Sequence, residues 1–118
     1  MPRMKHTDRS VIGGVDTHAE SHQAAVLDER GRLLGTAEFA TSIGGYQQLL
    51  DWLRGHGSVQ AVGVEGSGSY GAGLTRHLQA AGIGVVEVNR PHAHMRARRG
   101  KNDAIDAEAA ARKVLHRS

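Results

Sequence analysis

At 118 residues the chain is the size of one domain, with room for a single core and not for two. Apolar residues make up 39%, almost all Val, Ile, Leu and Ala, with Phe39, Tyr46, Trp52 and Tyr70 as the aromatics, so the core is aliphatic, as in buried parallel strands. The absence of cysteine excludes disulfides and thiolate-bound zinc, no apolar run approaches the roughly 20 residues that span a bilayer, and the net charge is a modest +3.

Residues 1–10 are basic and polar and lack the apolar stretch of a signal peptide, so a frayed leader is expected there. Residues 11–15 form a short apolar run ending in Asp16, the pattern of a buried strand with a polar residue at its C-terminal end. Residues 23–27 continue as a second strand, residues 28–31 turn, and residues 32–39 return as a third strand of an antiparallel meander. The period then changes. Ser42 can cap a helix in which Ile43, Tyr46, Leu49, Leu50 and Leu53 recur at helical spacing, and Gly55 and Gly57 stop it. Residues 59–64 read as a fourth strand ending in Glu65, and a glycine- and serine-rich turn leads into a helix carrying Leu74 and Leu78 and ending at Gly82. Residues 83–88 are a fifth strand, residues 89–102 a basic loop, and residues 103–116 an alanine-rich helix opened by Asp103. The order β-β-β-α-β-α-β-α, a mixed five-stranded sheet with packed helices, is that of the α/β RNase H-like fold.

The acids are placed informatively. Asp16 and Glu65 end strands that are neighbours in such a sheet, so both face one crevice outside the carboxyl ends of the strands. Asp103 and Asp106, three apart at the start of the last helix, share one helix face. If that helix packs back across the sheet, four carboxylates converge. They repel unless neutralised, and a hard-oxygen set suits Mg²⁺ or Mn²⁺, two of which clamp the attacking and leaving oxygens in phosphodiester transfer. Taken singly, each acid is explained as well by a turn, a cap or the helix dipole.

Three segments together resemble a known family. GVDTH at 14–18, VEGSGSYG at 64–71, and VNRPH followed by RGKNDAIDA within 88–107 are similar to the signature blocks of the DEDD transposases. These are the Piv/MooV-like enzymes of the insertion sequence 110 and 1111 groups, RNA-bridged recombinases with a RuvC-like N-terminal domain. The likeness runs from about residue 11 to 115, with Asn102 where the family commonly has Ser or Thr. The resemblance implies that Asp16, Glu65, Asp103 and Asp106 are the catalytic, metal-holding acids. It also implies DNA and a guide (bridge) RNA as partners, assembly as multimers, and a bacterial cytoplasmic setting. The family continues into a C-terminal domain bearing a serine nucleophile, which this sequence does not include, so little or no unaided turnover is expected.

The body of the chain, residues 11–89, has four basic against eight acidic side chains, whereas residues 90–118 have eight against three. Arg90, Arg96, Arg98, Arg99 and Lys101, just before the paired aspartates, are therefore expected to contact phosphates, and Ser67 and Gly68 of the glycine-rich turn to approach a nucleic-acid backbone. A solvated loop and a tight strand-to-helix turn are the plainer readings of the same segments. Ser67 and Ser69 have no evident base and are not read as nucleophiles. His18 and His22 lack a helical zinc spacing; His18, two beyond Asp16, approaches the same crevice if the strand continues, but a satisfied surface histidine is the plainer reading. A non-catalytic nucleic-acid-binding or self-associating transposase remnant is the alternative function. A sugar-kinase-like ATPase fragment is disfavoured by the Asp-x-x-Asp-Ala block and the basic loop.

Overall fold

The computed structural model describes residues 9–88 and 103–117. The elements follow in the expected order: β1 (Ser10–Thr17), β2 (Ser21–Asp28), β3 (Leu33–Ala40), α1 (Ile43–His56), β4 (Ser58–Glu65), α2 (Ala72–Ala80), β5 (Val85–Val88) and α3 (Asp103–Leu115). β1 begins at Ser10, and Arg9 is already tied in, its carbonyl accepting from the Ser58 amide at 2.7 Å and its Nε donating to the His56 carbonyl at 3.0 Å. The expected leader thus gives up its last two residues to the fold, and residues 1–8 lie outside the described set.

The strands form one mixed sheet in the order β3-β2-β1-β4-β5, with β1, β2 and β3 antiparallel and β4 and β5 parallel to β1 and to each other. The meander closes through a tight turn in which Asp28 Oδ1 accepts from the amides of Arg30 and Arg32, both at 2.9 Å, and Gly31 takes φ 89°. The hydrogen bond from Arg32, chiefly, holds the Asp28 carboxyl below the ordinary aspartate range. Ser42 caps α1 as its sequence position predicts, its Oγ accepting from the Gly45 amide at 3.0 Å.

Strand alternation sends neighbouring side chains to opposite faces, and the two faces differ in substance. On one, Val11, Val15, Ala24, Val26, Val62 and Val64 meet Tyr46, Leu49, Leu50 and Leu53 of α1 and Leu74 and Leu78 of α2. Each fully buried leucine there is worth about 1.5–3 kcal/mol, so this face carries most of the stability. On the other face Ala61 and Val88 meet Ala110 and Val114 of α3, with Ile12 and Val86 alongside. Alanines bury little area, so α3 gains by proximity. A Cβ on Gly14 would stand 2.2 Å from the Ala107 carbonyl oxygen and 2.3 Å from the Ala111 amide nitrogen, and one on Gly63 2.8 Å from the Ala110 carbonyl oxygen. Two glycines on adjacent strands therefore form the shelf on which the α3 backbone rests.

Candidate metal and nucleic-acid site

The shelf places the acids. Asp16 and Glu65 lie two residues beyond Gly14 and Gly63, so all four positions face the α3 side of the sheet. Asp16 and Glu65 are themselves register partners across the parallel β1–β4 pair. Gln23 of β2 flanks Asp16, and Val88 of β5 flanks Glu65. Asp16 is fully buried and Glu65 is 8% exposed. Two carboxylates on strands about 4.8 Å apart repel, and burial sharpens the repulsion.

Thr17 donates its Oγ1 to the Glu65 carbonyl at 2.7 Å and ties the two strand ends together. His18 Nε2 stands 3.0 Å from Asp16 Oδ2, with its side chain 44% exposed. His18 is thus a partly exposed histidine, as expected, and it also makes the approach to the Asp16 crevice that was the lesser reading. The signal was in the sequence, because i and i+2 on an extended segment share a face.

The direction of α3 follows from what it touches. Ala107 and Ala111 lie over Gly14, whereas Arg112 Nη1 donates to the Gly31 carbonyl at 2.9 Å, at the opposite end of β1. The helix thus runs antiparallel to β1 and brings its N-terminus to the end of the sheet that carries Asp16 and Glu65. A helix N-terminus is electropositive and partly offsets acids beside it. Asp106 is half-buried in the first turn. Asp103 opens α3, and its side chain lies outside the described residues. Among the described residues no group of three or more Asp, Glu or His side chains is gathered closely enough to share one metal ion. The pair formed by Asp16 and Glu65 is what the described side chains bring together.

The turn from β4 to α2 is largely self-satisfied. The amides of Ser69 and Gly71 donate to the Gly66 carbonyl at 2.9 and 2.8 Å, and the Ala72 amide donates to Ser69 O at 3.1 Å. Ser67 Oγ donates to the Glu87 carboxylate. Gly68 faces open space, with no atom within 4 Å of where a Cβ would lie, and Tyr70 is 57% exposed beside it. A tight turn accounts for most of this loop, which leaves Gly68 and Tyr70 as its outward surface. Arg90, Arg96, Arg98, Arg99 and Lys101 lie outside the described residues. A cavity of about 450 Å³ between α1 and α2, lined by Ser42, Ile43, Tyr46, Gly73, Arg76 and His77, opens on the face opposite α3 and contains no carboxylate.

Sheet order and helix placement define a RuvC-like member of the RNase H-like fold. The chain is similar to Thermus thermophilus RuvC, with a TM-score of 0.59 and 18% identity over 90% of this chain and 92% of that one. The same protein in complex with a Holliday junction substrate gives 0.59 and 16% over 91% and 92%. The large terminase nuclease of the thermophilic phage G20c gives 0.54 and 16%, covering 88% of this chain and 57% of that one. In sequence, residues 13–118 match the transposase family model for DEDD enzymes of the insertion sequence 110 type. The chain belongs to that transposase family. A mini-circle protein of Streptomyces coelicolor, assigned as the transposase for IS117, is 34% identical over 55 residues, 47% of this chain and 13% of that protein. The match thus spans about an eighth of that relative's length. No helix among the described residues is long and apolar enough to cross a membrane.

Proposed function

We propose that this chain is the carboxylate-bearing N-terminal domain of a DNA transposase, acting in phosphodiester strand transfer. The observation that carries the reading is the register pairing of Asp16 with Glu65 at the carboxyl ends of β1 and β4, on the face where α3 delivers its N-terminus. Two adjacent, largely buried carboxylates are a costly arrangement for folding alone, and their oxygen donors suit a hard divalent cation. Asp16, Glu65, Asp103 and Asp106 would hold Mg²⁺ or Mn²⁺, which when bound polarises a phosphoryl oxygen and lowers the pKa of a coordinated oxygen nucleophile.

The protein's own part is positional. The glycine shelf brings the α3 backbone close to the strands that carry Asp16 and Glu65, and from there Asp103 and Asp106 would serve the same crevice. The basic stretch with Arg90, Arg96, Arg98, Arg99 and Lys101 would neutralise DNA or guide-RNA phosphates next to the acids, and Gly68, with Ser67, would admit a backbone close to the β4–α2 turn. The attacking hydroxyl in the family's scheme is a serine in a C-terminal domain, which would complete the strand-transfer chemistry.

Titration calorimetry with Mn²⁺ on the chain and on its Asp16→Ala variant tests the reading. Binding to the parent and its loss in the variant is the expected result; equal affinity in both removes the site.

A further inference from the structure

We infer that His18 is the positioning residue of this site: its imidazole engages Oδ2 of Asp16 and so fixes the orientation of that carboxylate. The inference rests on the metal-binding reading of Asp16 and assigns a role to a residue outside the four acids. Asp16 has no exposed surface, and its Oδ2 lies 3.0 Å from His18 Nε2. An ionised carboxylate offers only acceptors, so the imidazole tautomer that matches it carries its proton on Nε2.

The imidazole is delivered by a fixed backbone. The His18 amide donates to the Ser21 carbonyl at 3.1 Å, and the His18 carbonyl accepts from Thr41 Oγ1 at 3.2 Å. Thr41 is in turn held by its own amide, which donates to the Glu20 carbonyl at 3.1 Å. The segment leaving β1 is therefore pinned to the end of β3, and the ring is aimed back along the strand at the residue two before it. Thr17, between them, anchors the same segment to the end of β4 through the Glu65 carbonyl.

The chemical consequence is a fixed carboxylate. An acid held in one orientation by a neighbouring imidazole suits Mg²⁺ and its demand for near-ideal octahedral geometry. Partners of this kind, which orient a ligand without touching the metal, typically change affinity by about 10–100-fold when removed.

The experiment is Mn²⁺ calorimetry on the chain, on Asp16→Ala, and on two variants of the histidine, with circular dichroism to confirm folding. His18→Ala should weaken binding about 10–100-fold. His18→Gln, whose amide N–H can reach the position of Nε2, should recover most of it, and a merely space-filling role predicts no such rescue. Unchanged affinity in His18→Ala, with Asp16→Ala still inactive in binding, overturns the role of His18 and leaves the metal site standing. A His18→Gln variant as weak as His18→Ala overturns it too, in favour of the ring as a direct ligand. Full affinity in Asp16→Ala, or none in the parent chain, takes down the site and this role together.

Discussion

Gly14 and Gly63 are register partners on adjacent parallel strands, and the backbone of α3 rests on both. The relationship matters because the acids sit one strand repeat further on. Whatever lifts α3 from the glycines also lifts its N-terminal turn from the end of the sheet that carries Asp16 and Glu65.

Gly14→Ala is the direct test. The new methyl would overlap backbone atoms of Ala107 and Ala111 at 2.2 and 2.3 Å, which a rotamer change cannot relieve. A loss of about 1–3 kcal/mol is expected in urea unfolding, with hydrogen exchange accelerated in α3 more than in α1 or α2. Equal acceleration in all three helices would contradict the shelf.

Glu65→Gln should separate folding from function. Removing one of two like charges directly opposite each other stabilises the metal-free chain by a fraction of 1 kcal/mol, in the range of about 0.2–1 for cross-strand pairs. The order reverses in Mn²⁺, because only the parent gains binding energy from the cation. Thermal midpoints with and without Mn²⁺ give the answer, and an unchanged ranking argues against the paired-carboxylate site.

His22 makes the stability pH-dependent. Its ring is fully buried, stacked on Tyr46 at 5.9 Å, with Nε2 lacking a hydrogen-bond partner and Nδ1 3.4 Å from Thr41 Oγ1. Burial pushes its pKa below the ordinary 6.5, with the neighbouring His18 adding to the fall and a Ser21 backbone hydrogen bond opposing it. The unfolded chain therefore takes up a proton that the folded chain refuses. The contribution of His22 to stability is complete above pH 6.5 and is lost as pH falls below that value. His22→Phe keeps a ring against Tyr46 and should show a shallower decline of unfolding free energy between pH 7 and 5 than the parent. Parallel curves for the two proteins would exclude this origin.

Arg112 fastens the other end of α3. Its Nη1 reaches the Gly31 carbonyl at 2.9 Å while Nε and Nη2 bind Glu108 at 3.0 and 2.5 Å. Arg112→Ala should cost about 1 kcal/mol, mostly through the lost bond to the turn, since a partly exposed pair with Glu108 contributes little. The effect should appear as faster exchange in the last turn of α3. A cost shared by Glu108→Ala would instead assign it to the ion pair.

Composition and period carried much of the architecture. The aliphatic runs, the switch from period 2 to 3.6 at Ser42 and the glycines after α1 and α2 placed all eight elements, because each depends on local backbone preference and on which side chains must leave water. The strand-end positions of Asp16 and Glu65 were legible for the same reason. Their partnership was not: it requires β1 and β4, 48 residues apart at the hydrogen bond from Thr17 to Glu65, to pair in parallel and in one register. Nor did the sequence reveal Gly14 and Gly63 as a platform, since a glycine in a strand signals a bulge or a close approach without naming what approaches. That His18 engages Asp16 was decided by the backbone leaving β1, which the Thr41 and Ser21 hydrogen bonds hold in place. Local physics chose the pieces; the parallel pairing of β1 with β4 set Asp16 beside Glu65, and the close packing of one alanine-rich helix on two glycines decided which helix end faces them.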